Sequence, residues 1–362
     1  MAQTKITDAN LASSGTMPAW DGSNMTNMGD GITKSANDPT ISTNPSDGVG
    51  TIWANTTTGQ MYMCTNATAG ANIWTNIGGG SGDIQPITIP QGGTVTTDGD
   101  YKVHTFTTSG TFNISHLSQV LNSQVEYLVV GGGGGGGAYG GGAGAGGFRT
   151  GTTFSVSEQA YTITVGAGGT GGSGTNKTGT DGSDSIFSTI TSTGGGGGGG
   201  SSSNGRDGGS GGGAGLGGTA TNYSAGQGNT PSTSPSQGNN GGTSVGVAGQ
   251  GHTQRAGGGG GASAVGGTAS GNQAGHGGAG SAYSITGSSV TYAGGGGGHA
   301  YSSGGVPGNG GAGGGGIGGD SAYDSVGANG TTNTGGGGGG GSEGGSGGNG
   351  GAGVVIIRYK FQ

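Results

Sequence analysis

The chain has 362 residues, 107 of them glycine, with 27% hydrophobic and 7% charged residues and a net charge of −7. That mix holds too little apolar surface for a conventional core throughout, and nine scattered Lys and Arg residues give no electrostatic footprint for nucleic acid. No stretch approaches the ~20 apolar residues that insert across a membrane, and the single cysteine, Cys64, excludes an intrachain disulfide or a cysteine-rich metal site.

Residues 1–48 are rich in Ser, Thr, Asn and Gly and carry Pro18, Pro39 and Pro45. This composition predicts an extended segment that needs a partner surface. Met1 to Asp8 shows no basic-then-apolar signal pattern. An extracellular role is therefore expected to use another route, such as release by lysis.

Residues 49–80 predict a small three-stranded β module. Its strands are 51–55, 60–65 and 72–77, separated by the turn-forming segments 57–59 and 69–71. Trp53, Tyr62 and Trp74 sit mid-strand and are expected to anchor its core. The alternative for these rings is an aromatic platform for sugars. Cys64 alternates within the second strand and reads as a small buried hydrophobe.

Residues 83–130 predict further strands at 87–89, 101–106, 110–114 and 124–130, followed by 154–156 and 161–165. A closing strand occupies 354–362, within which Val354 to Tyr359 is the apolar run. The two most apolar strands thus bracket the glycine region 131–353, where 91 of 223 residues are glycine. Tyr127 and Val129 on one side, with Val355, Ile357 and Tyr359 on the other, are the expected anchors of a β clamp.

Glycine runs begin at Gly131, Gly194, Gly257, Gly294 and Gly335. Cassettes of β-favouring residues precede three of them, at 185–193, 283–292 and 321–334, which implies repeated structure. Collagen is excluded, because it needs glycine at every third position and abundant proline. A flexible linker is the bland alternative, since ordering glycine is entropically expensive. The third possibility is a lattice of three-residue-per-turn glycine helices of the polyproline type. Such helices lack internal hydrogen bonds. Without side chains, neighbours approach closely enough to exchange N–H···O=C bonds in several directions. The fold class expected is therefore mainly β and irregular, with almost no α-helix: short β modules, then a polyglycine II lattice clamped by β-strands at both ends.

Motifs that suggest chemistry dissolve on inspection. The glycines after Val130 formally match a nucleotide loop, but the helix that must follow is missing from the pattern. The G-x-S-x-G matches at 208–212 and 344–348 lack the strand and helix of a nucleophile elbow. His104, His116, His252, His276 and His299 show no metal-ligand spacing. No catalytic residue, metal site or cofactor is assigned, and no enzyme activity is expected. What remains are the interruptions between glycine runs, including the Pro231 and Pro235 segment. They present Tyr223, His252, Arg255, His299, Tyr301 and Tyr323, residue types that recur on recognition surfaces. The alternative is that they simply cap helix ends.

The run Tyr101 to Phe112, the strand Val125 to Val130 with its glycines, Gly146 to Gly151, Tyr161 to Gly169, Thr291 to Gly294 and the ending Gly351 to Tyr359 together resemble the glycine-rich domain of phage tail fibre proteins. Residues 50–78 resemble small β modules of phage structural proteins, and 14–23 resemble fibre shaft segments near a particle attachment point. The resemblance implies a virion tail fibre or fibre-tip adhesin whose loops contact a bacterial surface receptor, a glycan or an outer-membrane protein. It further implies attachment to other virion tail proteins through the N-terminal region and a homotrimer, a monomeric tip being the variant. No nucleic acid and no membrane insertion are expected. A purely structural fibre or filament is the alternative function.

Overall fold

The structure is a computed structural model that describes residues 32–45, 48–78, 90–117, 123–174, 178–216, 223–245, 254–301, 304–320 and 324–361. Among these residues the backbone is strand and irregular, with no α-helix. Two units result, one within 32–78 and one within 90–361, so the composition boundary at Val130 falls inside the second unit.

The first unit contains β1 (Ile32–Ser35), β2 (Ile52–Asn55), β3 (Met61–Asn66) and β4 (Ile73–Gly78) in one sheet of that order. The expected module is therefore four-stranded. β1 joins as a parallel edge from Ile32↔Ile52 to Ser35↔Asn55, and its polar Ile-Thr-Lys-Ser sequence has no alternation to betray it. Trp53 and Trp74 meet edge-on at 5.7 Å, and Tyr62 lies opposite Trp53 in register. Both indole N–H groups donate to loop carbonyls, Trp53 to Asn37 (3.0 Å) and Trp74 to Thr43 (3.1 Å). Their polar edges thus tie residues 37–43 onto the sheet. Cys64 is buried.

The second unit opens with β5 (Thr94–Asp98), β6 (Tyr101–Phe106), β7 (Gly110–Ile114) and β8 (Gln124–Val130). Next come β9 (Phe148–Ser155), β10 (Gln159–Thr164), β11 (Ser185–Phe187), β12 (Ile190–Ser192), β13 (Ser281–Tyr283), β14 (Val290–Tyr292) and β15 (Val354–Lys360). A five-stranded sheet has the order β5-β6-β15-β8-β9, and a four-stranded sheet the order β12-β11-β10-β7. The clamp is direct. β15 runs antiparallel to both neighbours, pairing Val354 with Val130, and Ile357 with Tyr127 on one side and His104 on the other.

The period-two alternation of strands divides the side chains of β8 and β15 between two cores. Val125, Tyr127, Val129, Val355, Ile357 and Tyr359 join Phe112, Tyr161, Ile163 and Phe187 of the four-stranded sheet. Leu128, Val130, Val354 and Ile356 face Ile285, Tyr292 and Ala293, contributed by the β13–β14 hairpin and its flank. Burial on both faces explains why Val354 to Ile357 is a continuous apolar run.

The glycine region forms the expected lattice, and its hydrogen bonds show the three-residue period. In the run 131–137, Gly131, Gly134 and Gly137 donate to Gly147, Gly144 and Gly141; Gly132 and Gly135 donate to Ser183 and Thr180; Gly133 and Gly136 donate to Gly351 and Gly348. The carbonyls of the same run accept from Gly195 and Gly198, Gly169 and Gly172, and Gly338 and Gly341. One glycine helix is thus bonded to six surrounding segments, a hexagonal environment with no room for side chains. A Cβ on Gly133, Gly135 or Gly136 would fall well under 3.0 Å from a neighbouring backbone carbonyl oxygen.

The cassettes at 185–193 and 283–292 are the hairpins β11–β12 and β13–β14. The third begins at residues outside those described, and the rest of it is turn and irregular backbone. The strand expected at 87–89 also lies outside the described residues. β5 is an addition, mostly exposed and therefore without an apolar alternation. β9 begins at Phe148, six residues before the strand expected at 154.

Candidate functional site at the far end of the lattice

The bonding directions fix which turns share an end. Run 131–137 leaves the sheets, and 166–172 and 193–200 lie parallel to it, while 141–147 and 178–184 return antiparallel. The later runs continue this alternation. The turns at 138–140, 200–203, 270–273 and 342–345, with residues 300–301 and 304–306, therefore gather at the end remote from the sheets.

Four side chains meet there. Tyr139, in a left-handed backbone conformation (φ 53°) between two glycine runs, packs its ring 5.1 Å from that of Tyr301 and 6.1 Å from that of His299. Beneath them Arg255 is 1% exposed. Its guanidinium donates to the carbonyls of Asn272 (Nε, 3.1 Å), Gln254 (Nη1, 2.8 Å) and Tyr301 (Nη1, 2.7 Å). One buried cation thus ties together the segments of Gln254, Asn272 and Tyr301, and the Arg255 backbone also pairs with Val245 and Ala300. His299 is fully buried, its Nδ1 3.0 Å from the Gly319 carbonyl. Burial pushes its pKa down, Gly319 opposes this, and Arg255 adds to the depression. The neutral ring is thus the resting form. Burial, then the neighbouring Tyr301 hydroxyl and its hydrogen bond, hold the Tyr139 phenol protonated well above the ordinary range.

Arg255 and His299, expected as receptor contacts, are corrected to internal supports, since neither offers surface to a partner. Tyr301 is half-buried above them. Tyr223 is also half-buried and belongs to the same end: its N–H donates to the Ser244 hydroxyl, one residue before the pair Val245↔Arg255. His252 and Tyr323 lie outside the described residues. The Pro231 and Pro235 turn is at the opposite end. There Gln237 accepts from Thr193 N–H after β12, and its carbonyl accepts from Phe148 N–H at the start of β9. Tyr139 is a member of the cluster that sequence reasoning passed over. The available signal was a lone aromatic in a turn between two runs that otherwise hold only Gly and Ala.

The acidic groups of the lattice flanks have structural occupations. Asp181 receives Gly197 N–H and both Nε and Nη2 of Arg206, and Asp184 receives Gly194 N–H. Among the described residues no cluster of potential metal ligands occurs. The far end offers aromatic faces and hydroxyl groups above the buried Arg255 and His299.

The profile of the family described as glycine-rich domain matches residues 105–360. Those limits run from within β6 to the end of β15 and take in the lattice with its clamp. No curated protein matches the chain.

Proposed function

We propose, from the premise that the chain belongs to the glycine-rich domain family, that it is a virion tail fibre or fibre-tip adhesin that binds a receptor on the bacterial surface. The observation that carries this reading is the convergence of Tyr139, Tyr223 and Tyr301 on the turns remote from the sheets, above Arg255 and His299. Tyrosines supply large contact area at low conformational cost, with a polar tip. The lattice beneath them supplies rigidity rather than chemistry. In this reading the N-terminal region joins other virion tail proteins, the assembly is a homotrimer or a single-copy tip, and the chain acts outside the cell without catalysis.

The test is adhesion of the purified chain to a panel of bacterial strains, compared with a variant carrying Tyr139→Ser, Tyr223→Ser and Tyr301→Ser. Loss of adhesion with an unchanged unfolding midpoint is expected. Undiminished adhesion by a folded variant would overturn the assignment of these turns, and self-association without adhesion to any strain would favour the structural-fibre alternative.

A further inference from the structure

The sequence holds five Asn-Gly pairs, at Asn204, Asn240, Asn309, Asn329 and Asn349, and all five asparagines are exposed. Asn-Gly is the dipeptide most open to spontaneous deamidation, because glycine does not hinder attack by its own backbone nitrogen. In that reaction the glycine nitrogen bonds to the asparagine Cγ, and the side-chain nitrogen departs as ammonia. Water then opens the cyclic imide to aspartate or isoaspartate. Two freedoms are required: the side chain must swing, and the next backbone amide must be available.

The lattice removes both freedoms at four of the pairs. The side-chain Oδ1 of Asn204 accepts from Ser224 N–H (2.9 Å), that of Asn240 from Gly228 N–H (2.8 Å), that of Asn329 from Asn349 N–H (2.8 Å) and that of Asn349 from Gly171 N–H (2.9 Å). The four following amides are held as well. Gly205 donates to Ser224, Gly241 to Gly226, Gly330 to Asn349, and Gly350 to Gly169. Each asparagine satisfies the N–H of an adjoining run at the lattice flank, and that run holds the electrophile still.

Asn309 differs. Its own N–H donates to His276 Nδ1 (2.9 Å) and its carbonyl accepts from Gly277, so its backbone sits in the lattice. Among the described residues, however, neither its side chain nor the Gly310 N–H has a hydrogen-bond partner. Exposure does not separate the five pairs, but restraint does. We propose that Asn309 is a site of spontaneous deamidation in the folded protein and that the other four asparagines are shielded by the lattice. Conversion to isoaspartate adds a methylene to the backbone of run 306–312, close behind the turn that carries Tyr301, and a negative charge with it.

The test is incubation of the full chain in mildly alkaline buffer, folded and in denaturant, followed by chymotryptic peptide mass mapping. Cleavage after Tyr301 and Tyr323 isolates Asn309 from Asn329 and Asn349. In the folded protein the 302–323 peptide should convert to the acid form several-fold faster than peptides holding the other four. In denaturant the five rates should come together. Equal rates in the folded chain would overturn the proposal, as would an Asn309 excess that persists after unfolding. The variant Asn309→Ser should abolish the mass gain of that peptide; its persistence would assign the reaction to another residue.

Discussion

Replacing Gly133 with alanine tests the lattice at its most enclosed run. The backbone there lies outside the left-handed region, so an L-residue meets no torsional strain, and the effect isolates packing. The new Cβ would stand well under 3.0 Å from the Gly336 carbonyl oxygen and 2.9 Å from that of Gly335. Both are backbone atoms, so no side chain can swing aside. Relief requires run 335–341 to move off run 131–137, which stretches Gly338 N–H to Gly134 O and Gly341 N–H to Gly137 O. Two such bonds contribute about 1 kcal/mol each, and overpacking a close-packed interior adds about 1–3 kcal/mol. The lower chain entropy of the unfolded alanine variant returns about 0.4–1 kcal/mol. The net destabilisation expected is therefore about 2–5 kcal/mol, read as a fall in the denaturant midpoint followed by circular dichroism. Gly110→Ala is the control. Its Cβ would lie 3.7 Å from the Phe106 ring, an ordinary contact in β7, and it should leave the midpoint unchanged or slightly raised. Equal midpoints for the two variants would refute the packed lattice.

Two further predictions concern the clamp. Ile357→Ala removes a fully buried side chain from the core between the two sheets and should destabilise the second unit by about 2–5 kcal/mol in the same titration; an unchanged midpoint would mean that β15 does not close the core. His104 is fully buried, with Nδ1 2.7 Å from the Gly92 carbonyl and Nε2 3.3 Å from the Tyr359 hydroxyl. That arrangement suits a neutral ring that donates to Gly92 and accepts from Tyr359. Burial lowers its pKa, with Gly92 opposing and Lys102 adding to the effect. The unfolded chain, titrating near ~6.5, then takes up the proton first. Stability should be complete above that pH and fall as the solution is acidified below it. His104→Gln should flatten the dependence of thermal midpoint on pH, although His299 shifts in the same direction. A midpoint that rises on acidification of the unaltered chain would contradict the sign.

How far the sequence discloses this fold varies with where each signal comes from. β6, β7 and β8 were legible to the residue because alternating apolar side chains face a core. β1 and β5 were not, since edge strands bury little and Ile32–Ser35 or Thr94–Asp98 carry no alternation. The lattice was legible as a class, from long glycine runs bracketed by apolar strands. Its helix order was not, because contacts between bare backbones leave no residue-specific trace. The far-end cluster was half legible. Arg255, His299 and Tyr301 stand out among small residues, but which of them faces solvent depends on partners such as the Asn272 and Gly319 carbonyls, distant in sequence and supplied by the fold.

The distribution of side chains across the lattice bears on where specificity can change. Interior positions such as Gly133 accept no Cβ. Flank positions accept side chains that return a hydrogen bond to the neighbouring run, as Asn204, Asn240, Asn329 and Asn349 do. The far-end turns are constrained from beneath by Arg255, whose loss would strand three carbonyls in a buried site at about 1–3 kcal/mol each. Above it, Tyr139 and Tyr301 are half-buried and pack against one another, Tyr139 also against His299, while the glycine runs bond backbone to backbone. Substitutions of those two rings therefore leave the bonding of the glycine runs intact. A scaffold of this kind lets recognition residues vary while its backbone bonding stays fixed. For the proposed adhesin, a change of receptor would accordingly alter the tyrosines before it altered Arg255.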